Sequence, residues 1–468
     1  MHVIPQSWSH LHILVSVLPS FGLLIALCFF IAGIGSGNDG IKRTCLALVG
    51  LLALLGVPIY LSGDGSMAVL SRNPGFPKNV MASHYGWGQA ALAALAVTGL
   101  AAWIELLRSR GTGRRIDPLH IVLGLTVISL GLTVFTCELG FGIDHRELSS
   151  TVNIPNVSTS PLWPHAHIIL NHVPTAGFVF ALFFYLIALA TNNEGMKRGC
   201  LVLFVVCSIV GVPAYVTGTA AMWALTQPPV PGISRAVINA HRDMALWTLF
   251  GLAFTGSAAW IELWRSRYFG RFSKLSLALV LLFALVTLGI MTETGHRGGL
   301  INHPEVRTAT DVLPSDPNGG ITRVIEEQMS AKLWFIPWQI VHFFGYCLIF
   351  ASVLAVALMV FGFWKSVSFA AVHRLLALGF LGVLLNVFSG MLMMLADTYR
   401  YVVNGYTFAL KIAFIPIGAT AVLYFSTSGQ LWNVKAGERA PTAAKWMTVV
   451  VLLAWAGVIV CGRLLGYL

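Results

Sequence analysis

Twelve times along the chain an apolar run of membrane-crossing length is closed off by Gly, Pro, Asn, Asp or Arg. The runs lie at about 11–35, 44–70, 84–107, 118–143, 166–191, 199–225, 241–264, 275–297, 335–363, 372–396, 407–427 and 445–467. A helix needs ~20 apolar residues to span a bilayer, so the pattern predicts a polytopic, all-α membrane protein with twelve transmembrane helices. Composition agrees. Of 468 residues, 57% are hydrophobic and 10% charged, against about 25% charged in soluble domains. That excludes an ordinary soluble enzyme, and the lack of polar low-complexity tracts excludes a disordered chain. The net charge of +11 is not a nucleic-acid signal, because in a membrane chain the side on which basic residues lie outweighs their sum.

The first third of the chain is repeated in the second. Ala101-Ala-Trp-Ile-Glu-Leu-Leu-Arg-Ser-Arg110 returns as Ala258-Ala-Trp-Ile-Glu-Leu-Trp-Arg-Ser-Arg267. In the same order His10-Leu-His12 matches His165-Ala-His167, Pro19 matches Pro174, Gly56-Val-Pro58 matches Gly211-Val-Pro213, and His84 matches His241. An ordered series of this kind marks an internal duplication. Each unit has an even number of helices, so the copies are parallel rather than inverted. The expected organisation is three four-helix bundles at 1–145, 146–303 and 335–468, with 304–334 as a connecting loop.

Basic residues orient these helices. Lys42, Arg43, Arg108, Arg110, Arg114, Arg115 and their counterparts in the later loops crowd one side, which the positive-inside rule makes cytoplasmic. Both termini and the two long connections then face the periplasm of a bacterial inner membrane. The first Lys or Arg is Lys42, so the first run lacks the basic flank of a cleavable signal and is expected to be retained. The seven cysteines form no C-x-x-C pair and read as packing residues.

Fourteen histidines in so apolar a chain cluster at the periplasmic ends. The first copy has His10, His12, His84 and His145; the second has His165, His167, His172, His241, His296 and His303. Helices 1 and 3 of a bundle point the same way, so His12 and His84, or His167 and His241, stand at one depth. Imidazoles from two helices of an apolar bundle are suited to axial ligation of haem b, and ionisable groups at membrane depth mark function. His145 and His303 are further axial candidates. His172 lies five residues beyond His167, about 140° away around the helix, so the two cannot share an iron. The competing readings are interfacial histidines bonded to loop carbonyls or headgroups, and a zinc or copper site using Asp144, Glu147 or Glu305.

Other polar marks are weaker. Glu105 and Glu262 read as partners of the arginines three residues on, and Glu138 and Glu293 as propionate contacts or proton relays. In the third bundle His342 lies near the periplasmic end of its helix, and His373 about 30 Å away at the other side. Met391, Met393 and Met394 end at the depth of His342, as axial partners or as core. Asp397, Arg400 and Lys411 form a polar cluster suited to a haem propionate, a quinone or interface anchoring.

The run His167-Ile-Ile-Leu-Asn-His172-Val-Pro174, with Ala240-His241 and Gly298-Gly-Leu-Ile-Asn-His303-Pro-Glu305, resembles a family of uncharacterised four-helix membrane proteins suspected of being b-type cytochromes. The first copy departs from it at Val17, in the place of His172. Pro337-x4-His342-x2-Gly345 and Asn404-x3-Phe408-x2-Lys411 resemble a second uncharacterised four-helix family. Neither family has an established activity, but with the histidine placement the resemblance favours haem, and the leading expectation is a b-type cytochrome with two or more haems b, an electron-transfer subunit of a larger respiratory complex. Such a subunit would meet other membrane subunits and a periplasmic partner such as a c-type cytochrome. A transporter or channel built on parallel repeats, and a haem-free anchor of a periplasmic redox complex, are the alternatives.

Overall fold

The structure is a computed structural model that describes residues 7–36, 39–72, 76–111, 119–144, 162–226, 232–303, 307, 320–403 and 406–465. Among them every regular element is a helix, and twelve spans are long and apolar enough to cross a membrane. Contacts divide the chain into two compact units, Met1–Asn153 with Gly298–Val312, and Ile154–Arg297 with Leu313–Leu468.

In the first unit α1 (Trp8–Val15) and α2 (Leu18–Ser36) form the first span, followed by α3 (Asp39–Leu70), α4 (Lys78–Gly111) and α5 (Leu119–Asp144). The break between α1 and α2 has a simple cause: Pro19 has no N–H to give to the carbonyl four residues back. The α3 helix packs on α2 and α4, and α5 packs on α4 and returns to α2, closing a four-helix ring. Close approach is bought with small side chains. A methyl on Gly99 would stand 2.2 Å from the Cβ of Ala53, so α3 and α4 touch where neither carries bulk. One residue away, Thr98 Oγ1 and Ser129 Oγ share a hydrogen bond of 2.8 Å between α4 and α5.

The second unit opens with α6 (Leu162–Ala190), α7 (Glu194–Thr226), α8 (Arg235–Phe269) and α9 (Lys274–Asn302). The duplicated positions make the same contacts: a methyl on Gly256 would stand 2.3 Å from Ser208 Cβ, and Thr255 Oγ1 bonds Thr287 Oγ1 at 3.0 Å. The α8 helix ends at Gly270, whose φ of 68° is the left-handed cap that glycine adopts without strain.

The connection before the third group is not wholly irregular. It holds α10 (Ile321–Ser330). Asp243 of α8 accepts from the free N–H groups of Ile321 and Thr322 at 3.1 and 3.0 Å, and Arg242 pairs with Glu326 at 2.9 Å. After α10 come α11 (Lys332–Val360), α12 (Phe369–His373), α13 (Leu376–Ala396), α14 (Thr398–Val403), α15 (Tyr406–Thr427), α16 (Gly429–Trp432) and α17 (Thr442–Leu464). These helices share a core with the duplicated copy: Val216 and Leu249 lie in one buried cluster with Met391, Met394 and Phe408. Met391 and Met394 are thus core residues, as methionines filling irregular gaps generally are.

At the far end of α8 the Glu262–Arg265 pair forms. The Glu262 side chain is 0% exposed and takes Arg265 Nε at 2.7 Å and Nη2 at 2.9 Å, with the Ser273 N–H at 2.6 Å. Arg265→Ala leaves a buried carboxylate without its cation, which costs about 3–5 kcal/mol. The variant is expected to melt well below the parent in detergent. An unchanged melting temperature would mean that the Ser273 N–H alone carries the charge.

Candidate functional site

Four histidines at the positions that the sequence match pairs are held in one way. His12 Nδ1 donates to the Ile59 carbonyl at 3.1 Å, and His167 Nδ1 to the Ala214 carbonyl at 3.0 Å. On the third helices, His84 Nδ1 donates to the Thr136 carbonyl at 2.9 Å and His241 Nδ1 to the Thr294 carbonyl at 3.0 Å. A backbone carbonyl only accepts, so in each ring Nδ1 carries a proton, and in the neutral imidazole the lone pair is then on Nε2. This is the arrangement in which an imidazole becomes a ligand: one nitrogen is anchored by the protein and the other is basic and unprotonated.

Glycines set the depth of these rings. A methyl on Gly63 would stand 2.9 Å from His12 Cε1, on Gly218 2.6 Å from His167 Cε1, and on Gly140 3.0 Å from His84 Cε1. Side chains at these positions would collide with the imidazoles, so the glycines act as seats. Each seat of a first-helix histidine follows a hydroxyl residue, as Ser62-Gly63 and Thr217-Gly218. Ser62 Oγ donates to the Ile59 carbonyl at 2.8 Å and lies 3.2 Å from His12 Nδ1. Thr217 Oγ1 reaches the Ala214 carbonyl at 3.0 Å in the same manner.

In the first four helices the rings of His12 and His84 meet edge to face, with centroids 6.1 Å apart and planes at 81°. His10, at the start of α1, caps onto Ser7 through its N–H and is outside this pair. His172 is half-buried on α6. His303 ends α9 with its N–H on the Gly299 carbonyl at 3.0 Å, and His145 lies outside the described residues. Among the described residues no group of three or more His, Cys, Asp or Glu converges as a zinc or copper centre would need. Glu293 is engaged by Arg297 at 2.8 Å.

The third bundle repeats the first-helix arrangement without having been read that way from the sequence. His342, 8% exposed, bonds Ser389 Oγ through Nδ1 at 2.9 Å. The next residue, Gly390, is its seat, with Cε1 3.0 Å from a would-be methyl. Ser389-Gly390 thus corresponds to Ser62-Gly63 and Thr217-Gly218. The signal that sequence reading missed is a Ser/Thr-Gly pair some 50 residues after each first-helix histidine. Lys411 lies on the same cavity as His342. Asp397 is exposed at the end of α13, and Arg400 belongs to α14. His373 stacks on Trp264 at 6.1 Å and 8° and packs against Phe369 and Trp432.

Residues 164–306 match the model of a family described as "Predicted membrane protein (DUF2231)". This stretch is the second copy, from the start of α6 past the end of α9, and it includes His167, His172, His241 and His303. No curated protein and no solved structure matches the chain. The chain is therefore a multi-pass, all-α membrane protein, similar through its second bundle to a family of predicted membrane proteins.

Proposed function

We propose that the protein is a membrane-integral b-type cytochrome that passes electrons between haems held by paired imidazoles. The observation that carries this reading is the His12–His84 pair. Two imidazoles from different helices could hold one haem only if their rings come close to each other in an apolar bundle. The rings of His12 and His84, with centroids 6.1 Å apart, are that close, and each has its Nδ1 on a backbone carbonyl, which leaves Nε2 as the nitrogen that would bind. His12 and His84 would hold one haem and His167 with His241 a second. A haem held there would supply one-electron redox chemistry, with a potential tuned by the two imidazoles and their apolar surroundings. The chain contributes ligands, their fixed tautomers and glycine seats that keep the rings from turning. His172, His303 and His342 remain candidates for a further haem or for contacts to one.

The periplasmic ends of the helices carry these histidines, so the electron partner would be a periplasmic protein such as a c-type cytochrome, within a larger respiratory complex of the bacterial inner membrane. The test is a reduced-minus-oxidised spectrum of the purified full-length protein. A b-type α band at about two haems per chain is expected, and its absence from folded protein would remove the proposal. Orientation has its own test. Thr112→Cys, in the arginine-rich connection after α4, is expected to resist an impermeant thiol reagent in intact cells and to react after the membrane is opened. Efficient labelling in intact cells would invert the topology.

A further inference from the structure

The third histidine seat differs from the others in what stands opposite. His84 and His241 are the seventh residues of α4 and α8; Lys411 is the sixth of α15. In the third bundle, then, a lysine takes the place of the second imidazole. An ammonium is a hydrogen-bond donor with no lone pair, so this pair is not a second bis-imidazole site.

Between His342 and Lys411 lies a cavity of about 70 Å³. A water molecule needs about 10–15 Å³ of such space, so the cavity has room for about five waters, and it is partly open rather than enclosed. Its walls are largely apolar, and no acidic side chain lines it to balance Lys411. Two further lining groups are buried without hydrogen-bond partners, the Asn386 Oδ1 acceptor and the Trp455 indole N–H. Unpartnered buried polar atoms are costly, and both residues belong to the lining of this cavity.

The state of His342 follows from its neighbours. Ser389 Oγ gives its one proton to the Leu385 carbonyl at 2.5 Å, so toward His342 it can only accept. The imidazole proton is therefore on Nδ1, and Nε2 is an acceptor. The cavity thus offers an imidazole acceptor at His342 and an amine donor at Lys411 on an apolar, partly open space within the membrane.

We propose that the third bundle binds the head group of a membrane quinol. One ring hydroxyl donates to His342 Nε2 and the other ring oxygen accepts from Lys411. The oxidised quinone has no proton for Nε2, so the site favours the reduced form. The binding stands independently of haem.

The probes are duroquinol and duroquinone, titrated calorimetrically under anaerobic conditions into the full-length protein in detergent. One saturable duroquinol site per chain is expected, at least about tenfold tighter than for duroquinone. Lys411→Met and the milder Ser389→Ala, which frees the His342 tautomer, are each expected to weaken it by about tenfold or more. Any b-type spectrum should stay unchanged in both. No saturable binding to folded protein, equal affinity for the two forms, wild-type affinity in both variants, or loss on His84→Ala instead would each overturn the proposal. Duroquinol binding by a protein without a b-type spectrum would support this site while removing the cytochrome reading.

Discussion

His84→Ala is expected to cut the haem absorbance by about half, and His84→Ala combined with His241→Ala to abolish it. The argument rests on separate sets of ligands. His84 hangs from the Thr136 carbonyl and meets His12, while His241 hangs from Thr294 in the second copy. Each loss removes one imidazole from an apolar setting, where no water of comparable ligand strength replaces it. His373→Ala is the matched control: that ring is buried among Trp264, Phe369 and Trp432, so its loss should affect packing and leave haem content unchanged. Haem retained in full by the double variant would mean that these histidines are interfacial side chains bonded to carbonyls and nothing more.

Much of the architecture is legible because membrane burial writes itself into hydropathy. Spans such as Lys274–Asn302 and Lys332–Val360 were bounded from the sequence to within a turn or two. The depth of His12, His84, His167 and His241 followed from counting residues along helices. Three features were hidden for identifiable reasons. The α10 helix is short and amphipathic, and it is fixed by Asp243 and Arg242, about 80 residues away in sequence. The common core of the second and third groups depends on Val216 and Leu249 meeting Met394 and Phe408, and periodicity does not reveal which apolar faces meet. The seat glycines were hidden because Gly63 and Gly218 are two among 46 glycines. Their role appears only when a ring from another helix is seen to rest on them. That also concealed the third bundle's kinship. His342 lacks a histidine partner, and only Ser389-Gly390 beneath it shows the shared design.

The seats yield the sharper test, since they alter no ligand. Gly218→Val is expected to lower haem affinity in the second bundle by about 10–100-fold, the usual cost of disturbing the groups that orient a ligating histidine. A methyl there would already stand 2.6 Å from His167 Cε1, and valine adds two more carbons on a stiff branched side chain. The imidazole must swing away, breaking its 3.0 Å bond to the Ala214 carbonyl and with it the tautomer that leaves Nε2 unprotonated. Gly289→Ala provides the comparison, for a methyl at that position meets nothing within 4 Å, and its haem content should match the parent. The same logic separates the third bundle from the others. Gly390→Val would press on His342, with Cε1 only 3.0 Å from the first added carbon, and should cost duroquinol binding while sparing the bis-imidazole spectrum. Parental haem content in folded Gly218→Val would mean that the ring tolerates displacement, and the glycine beneath His167 would then be a packing residue only.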